Sequence, residues 1–384
     1  MLYDKLREYS AGGAYPMHMP GHKRNSELLP PGLPYDIDIT EIYGFDDLHE
    51  PGGILLETAQ VASGLYGSLK AFPLINGTTV GVLAAIGAHT KRGDRILASS
   101  DCHRSVANAA SLFGLSPVFI EPSADPETGV PRGMELSAVE AALRRDPGIA
   151  LIVATSPSYE GIVSDVAAIA DIAHSRGRAL FVDGAHGAHL GFSPGFPESA
   201  VRLGADVVVM SLHKTLPALT QCSLLHICSE RADAVEVKRL LSILQTSSPS
   251  YVLMASIDCC LRLLSAENES LFLQYRKNLE AFDERVGGLE KLIVPCHGRD
   301  GTDAGNGRRG TARGFFDYDP GKIVVSGKRA SVSGRALADA LRFEHRIELE
   351  AARQDYAIAM TSVCDTADGL LRLADALCAI DREL

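Results

Sequence analysis

Between residues 70 and 228 the chain alternates two hydrophobic patterns. Short, continuous apolar runs occur at AFPLI (71–75), RILAS (95–99), PVFIE (117–121), IALIVAT (149–155), ALFVD (179–183), DVVVM (206–210) and SLLHI (223–227). Between most of them lie stretches of helical period: VGVLAAIGAHT (80–90), SVANAASLFG (105–114), ELSAVEAALRR (135–145) and VAAIADIAHSRG (166–177). Runs without polar alternation are the mark of strands buried on both faces. The pattern therefore predicts an α/β fold with a seven-stranded, largely parallel sheet and helices on both faces. Ligands bind such sheets beyond the carboxyl ends of the strands, so the residues just after each apolar run are the ones to read for chemistry.

Outside that core the pattern changes. The start, MLYDKLREYSAGG, is amphipathic with charges throughout. Residues 230–288 read as mostly helical, with a break at QTSSPSY (245–251). HGRDGTDAGNGRRGTARG (297–314) is rich in glycine and charge and reads as a loop. From FFDYDPGKIVVS (315–326) onward, strands and two helices make a small α+β unit. The predicted division is an N-terminal segment (1–50), a large domain (51–288) and a small C-terminal domain (289–384). A chain of 384 residues suits one large and one smaller core. No internal repeat is visible.

Composition narrows the function classes. Hydrophobic residues make up 46% and charged residues 22%, within the globular range. A net charge of −11 gives no broad electrostatic reason to bind nucleic acid or an anionic membrane, and it suits a cationic small molecule. No apolar run approaches a membrane span, and the N-terminus lacks the apolar centre of a signal peptide. The eight cysteines show no C-x-x-C pair, which reads as reduced thiols in a cytoplasm.

The strand ends carry the chemistry. After AFPLI comes Asn76-Gly77-Thr78-Thr79, a glycine and two hydroxyls opening a helix. That is either a plain capping turn or a phosphate cradle of free N–H groups. After RILAS comes Asp101-Cys102-His103, whose imidazole is either a surface group or a flat ring stacked on a ligand. The turn Ser156–Gly161 follows IALIVAT. Asp183 ends ALFVD, and a buried carboxylate there needs a cationic partner. Ser211, His213 and Lys214 follow the next run. Two rival motifs fit poorly. Gly191-Phe192-Ser193-Pro194-Gly195 matches the serine-hydrolase elbow, yet HGAHL precedes it where a strand is needed. Asp183, His186 and His189 could ligate a metal, but the chain offers no clear further ligand, so no metal is expected. One hypothesis uses all the strand ends. Pyridoxal 5'-phosphate needs a lysine for its aldehyde, an acid for its ring nitrogen, a phosphate cradle and a flat group against its ring. Lys214, Asp183, Gly77-Thr78-Thr79 with Ser211, and His103 supply these.

These stretches resemble the fold-type I pyridoxal-phosphate enzymes, and specifically the bacterial ornithine/lysine/arginine decarboxylases. MPGHKRN (19–25), DITEIYGFDDLHEPGG (38–53), PLINGTTVG (73–81), DCHRSV (101–106), TSPSYEGIVSD (155–165), FVDGAHGAH (181–189), SLHKTLPALTQ (211–221) and QTSSPSYVLMASID (245–258) run in the family's order. The resemblance implies an aspartate-aminotransferase-like fold. It also implies decarboxylation of arginine, lysine or ornithine to the amine and carbon dioxide. Lys214 would hold the cofactor covalently and Asp183 would meet its ring nitrogen, with His186 beside it. His103 would stack on the ring, and Thr78, Thr79, Ser211 and His213 would hold the phosphate region. Family members are dimers or larger homo-oligomers, so QTSSPSY could reach a neighbour's site. The small domain offers Glu348, Glu350 and Asp355 for a substrate cation, with Glu350, in IELEAARQDY, the best placed. Two departures stand out. Gly184 occupies a position that is often acidic in the family, and many members carry a longer C-terminal region. Another fold-type I activity, aminotransferase or lyase, and a cofactor-binding protein without turnover are the alternatives.

Overall fold

The computed structural model describes residues 1–298 and 309–384; most of the glycine-rich loop expected at 297–314 lies outside the described residues. Strands occur in chain order as β1 (Lys70–Leu74), β2 (Arg95–Ser99), β3 (Ser116–Ile120), β4 (Ile149–Thr155), β5 (Ile162–Val163), β6 (Ala179–Asp183), β7 (Val207–Ser211) and β8 (Ser223–Ile227), then β9 (Asp317–Tyr318), β10 (Lys322–Ser326), β11 (Ala351–Ala352) and β12 (Tyr356–Met360). The seven predicted runs form one sheet in the order β1-β8-β7-β6-β4-β2-β3. Every neighbouring pair from β7 to β3 is parallel. The exception is β8, which runs antiparallel to both β7 and β1. The cause is the connection. Between β7 and β8 lies only the four-residue helix Leu212–Thr215 and a turn, too little for the crossover that a parallel return needs.

Two apolar layers cover the sheet. On one face pack the helices Gly77–Ala88, Arg104–Phe113 and Ala234–Leu244. On the other pack Ile54–Tyr66, Leu136–Arg145, Val166–His174 and the 36-residue helix Tyr251–Val286. In β7, Val207, Val208, Val209 and Met210 are at most 1% exposed. Each such side chain contributes roughly 1.5–3 kcal/mol by leaving water. That burial on both faces explains why the run shows no polar alternation.

The break at 245–251 is a loop held to the end of β1. Gln245 Oε1 accepts from the Ile75 amide at 3.0 Å, and Asn76 Oδ1 accepts from the Thr246 amide at 3.3 Å. Ser250 then caps the long helix, its Oγ accepting from Leu253 N at 3.3 Å. Leu2 and Leu6 of the N-terminal helix are fully buried, and the Leu2 amide donates to Asp258 of the long helix at 2.8 Å. The C-terminal segment forms the antiparallel sheet β10-β12-β11 with helices Gly334–Phe343 and Ala367–Glu383. The β5–β9 pair ties it to the turn that follows β4. All eight cysteines are free thiols. Among the described residues, no helix is long and apolar enough to cross a membrane.

Candidate active site

A cavity of about 720 Å³ opens at the carboxyl ends of the parallel strands. Each strand delivers its next residues there. β1 leads to Asn76–Thr79, β2 to Asp101–Arg104, β4 to Thr155 and Tyr159, β6 to Asp183–His186, and β7 to Ser211–Lys214. From the small C-terminal sheet, Glu350 and Arg353 complete the wall. The residues expected to hold the cofactor, and Glu350, therefore line one space: Gly77, Thr78, Thr79, His103, Asp183, His186, Ser211, His213, Lys214 and Glu350.

The helix Gly77–Ala88 begins at the cavity with no side-chain cap from Asn76; the Gly77 amide donates to the Gln221 carbonyl at 3.1 Å, and the Thr78 and Thr79 amides follow it in the first turn. Thr78 Oγ1 lies 3.2 Å from Ser211 Oγ, which joins the cradle to the end of β7. His213 is fixed by its Nδ1, 3.0 Å from the Cys222 carbonyl. Lys214 sits in the single helical turn after β7, and its Nζ lies 3.0 Å from His186 Nε2. Burial lowers the Lys214 ammonium below its ordinary value; Asp183 and Glu350 oppose this and Lys322 adds to it. His186 is driven well below the ordinary histidine range, first by burial and then by the cations Lys322 and Lys214. Both shifts disfavour positive charge on the two nitrogens that share the 3.0 Å contact.

Asp183 is 3% exposed and accepts from the Ala185 amide at 3.2 Å. Burial raises its carboxyl above the usual range, with Lys214 and His103 only partly offsetting it. His103 caps the helix Arg104–Phe113: its Nδ1 accepts from the Ser105 amide at 3.3 Å, and burial lowers the ring below the ordinary histidine range. Two buried side-chain atoms at the cavity lack a partner, His186 Nδ1 and Thr155 Oγ1. Gly184 is tightly enclosed: a Cβ there would lie 3.2 Å from the Val209 carbonyl oxygen.

The acidic candidates separate. Tyr159 donates to Glu350 Oε1 at 2.5 Å, holding that carboxylate at the cavity. Glu348 is instead paired with Arg342, and Asp355 with Lys328 at 3.2 Å. Neither lines the cavity, so the three-carboxylate wall reduces to Glu350. The metal cluster also separates: His186 faces Lys214, whereas His189 Nε2 bonds Asp319 Oδ1 at 2.9 Å. Ser193 hydrogen-bonds the Pro194 carbonyl at 3.3 Å in a loop, not in a strand-to-helix elbow. Tyr159 and Arg353 also line the cavity, without a role assigned from the sequence. Tyr159 lies edge-on to His186, with ring centroids 4.9 Å apart, and the Arg353 guanidinium lies 5.3 Å over the Tyr159 ring. Tyr159's place in a turn after a strand is a signal for it. Arg353 has none beyond nearness to Glu350.

A model of the "Orn/Lys/Arg decarboxylase, major domain" matches residues 1–287. The chain belongs to the Orn/Lys/Arg decarboxylase family. Two of its relatives are an uncharacterized protein, YaaO, of Bacillus subtilis and an arginine decarboxylase of Bacillus cereus. The first is 42% identical over 67% of this chain and 55% of its own length. The second is 31% identical over 95% of this chain and 78% of its own length. Among solved structures, the lysine decarboxylase LdcF of Francisella novicida superposes with a TM-score of 0.82 at 18% identity. That match covers 99% of this chain and 60% of the solved one. The chain thus spans little more than half the length of some relatives. The fold expected from the sequence, fold type I, is the fold of the structural neighbours within and outside the decarboxylase family.

Proposed function

We propose that this family member is a pyridoxal-phosphate-dependent decarboxylase acting on a basic amino acid: arginine, lysine or ornithine. The observation that carries the reading is convergence. Lys214, Asp183, the Gly77–Thr79 helix start and Glu350 line one cavity. The donor set fits the cofactor. The first-turn amides after Gly77, with Thr78 and Ser211, suit a phosphate, and a buried carboxylate with a single backbone donor suits a cationic ring nitrogen.

When bound, pyridoxal phosphate supplies an aldehyde carbon for an amine and a protonated ring that draws electrons from the bond to the departing carbon dioxide. The chain's residues do the rest. Lys214 would hold the cofactor through its amine and give it up to the substrate amine. His186, 3.0 Å from that amine, is then its proton partner. Asp183 would keep the ring nitrogen protonated, and His103 would lie against the ring. Thr78, Thr79, Ser211 and His213 hold the phosphate region. Glu350, fixed by Tyr159, receives the cation at the end of the substrate side chain. A homodimer in the cytoplasm, with residues 245–251 near a partner's site, and a role in polyamine biosynthesis belong to the same reading, as does the division at residues 50 and 288.

Initial rates of amine and carbon dioxide formation with each of the three amino acids test it. Borohydride reduction followed by peptide mapping tests Lys214. No amine from any of them, with cofactor fully bound, rejects the decarboxylase; cofactor fixed to a lysine other than Lys214 rejects the site. Arg353 favours a second reading, transamination, because a guanidinium at the cavity could retain the carboxylate that a decarboxylase releases. Oxo-acid formation in place of carbon dioxide would mark it.

A further inference from the structure

Next to the cavity lies a buried charged cluster that the reaction above does not use. After β6 the chain turns through residues 183–190, and this turn carries two histidines. His186 Nε2 meets Lys214 Nζ at 3.0 Å, whereas His189 Nε2 meets Asp319 Oδ1 at 2.9 Å. The other Asp319 oxygen accepts from Lys322 Nζ at 3.1 Å, and the Gly321 amide donates to Oδ1 at 2.8 Å. Asp319 and Lys322 are both 0% exposed. Lys322 packs on the turn that lines the cavity: a Cβ at Gly161 would lie 2.6 Å from Lys322 Cβ, and the Asp319 amide donates to the Gly161 carbonyl at 2.8 Å. Two residues before Gly161, Tyr159 sets its ring edge-on against His186. His186 is therefore held between Lys214 and the segment on which Lys322 packs.

A buried ion pair is a weak way to gain stability, since an apolar pair of equal volume usually does as well. A buried cation next to a reactive amine has a second effect. It disfavours another positive charge nearby, and the low local dielectric strengthens this. We propose that Lys322 is a positioning residue for Lys214: its ammonium, fixed by Asp319, opposes a second positive charge at the Lys214–His186 pair and so keeps the Lys214 amine free to react. The other groups around the pair are accounted for. Asp183 and Glu350 favour the Lys214 ammonium, His103 disfavours charge on His186, and Asp319 screens Lys322 in part. Lys322 disfavours positive charge on both His186 and Lys214.

The inference rests on reading Lys214 as the reactive lysine, and its test needs no turnover. The full chain, without added cofactor, is methylated with formaldehyde and cyanoborohydride across a pH series. Peptide mass spectrometry follows Lys214, with the exposed Lys91 and Lys277 as internal standards. Lys322→Met removes the charge and keeps the length. The Lys214 midpoint should rise by about one pH unit, a roughly tenfold slower labelling at neutral pH, with the standards unmoved. An unchanged midpoint in a folded variant overturns the proposal. If Lys322→Met does not fold, Asp319→Asn with Lys322→Met removes both charges together, and the same two outcomes decide. A raised midpoint with no amine product upholds this inference and rejects the decarboxylase. Amine product with an unchanged midpoint does the reverse.

Discussion

At the scale of single residues, the site holds charges that the fold alone would avoid. Burial raises the Asp183 carboxyl, so in the cofactor-free chain its ionised form is a cost. A raised carboxyl weakens folding above its ordinary range and returns that stability as pH falls through the folded value. Asp183→Asn, equal in shape and uncharged, should therefore stabilise the cofactor-free chain at pH 7 by about 1–3 kcal/mol, measured by urea unfolding. The same variant should lose turnover by roughly two to four orders of magnitude, as expected if about 3–5 kcal/mol of pairing is missing in the transition state. A variant no more stable than wild type would show that Asp183 has a partner in the empty site. Glu350 differs: in the proposed reaction a substrate cation would bind it alike before and during reaction. Glu350→Gln should raise KM about tenfold or more while changing kcat little, in steady-state rates with the best of the three amino acids. An unchanged KM would remove Glu350 from substrate binding.

At the scale of elements, the cradle depends on how closely one helix lies on the sheet. Gly81 of the helix Gly77–Ala88 faces β7: a Cβ there would lie 2.7 Å from Val209 Cγ1 and 2.8 Å from Leu74 Cδ1. Alanine is the better helix former by about 1 kcal/mol, but overpacking costs about 1–3 kcal/mol. Gly81→Ala should therefore be destabilising on balance. It should also weaken cofactor binding, since the helix carries Thr78 and Thr79 at its start. Equilibrium unfolding and a cofactor titration measure the two effects. The strands were legible for the same packing reason: β2, β4, β6 and β8 begin and end at the residues read from the sequence. The direction of β8 was not legible, because it depends on connection length and not on side-chain pattern.

At the scale of the whole molecule, the sheet end and the C-terminal segment meet through Asp319. Burial pushes its carboxyl up, but His189 and Lys322 together pull it further down, below the ordinary carboxylate range. A depressed carboxyl contributes stability above its unfolded value and loses it as pH falls through the folded one. Wild-type stability should thus fall through the acid range, and Asp319→Asn should show a shallower slope there. Asp319→Ala, which strands Lys322, should cost about 3–5 kcal/mol at pH 7. Urea unfolding at stepped pH measures both. Equal acid slopes in wild type and Asp319→Asn would mean that the carboxylate is not held ionised in the fold.

The sequence by itself determined the strands, the helices and the order in which chemistry-bearing residues follow the strands. These depend on local periodicity, and a parallel sheet sends its strand ends to one edge. That is why Gly77, His103, Asp183 and Lys214, far apart in the chain, could be grouped before any contact was known. Tertiary structure alone decided what each polar group faces. It turned His186 to Lys214 and His189 to Asp319, although both stand in one short turn. It brought Tyr159 to Glu350 across 191 positions of chain, while Glu348 and Asp355 took surface partners. It also buried Lys322 against Asp319, packed on the turn that carries Tyr159. Such pairings depend on geometry between distant segments and on exclusion of water, and neither is written in the period of a local pattern.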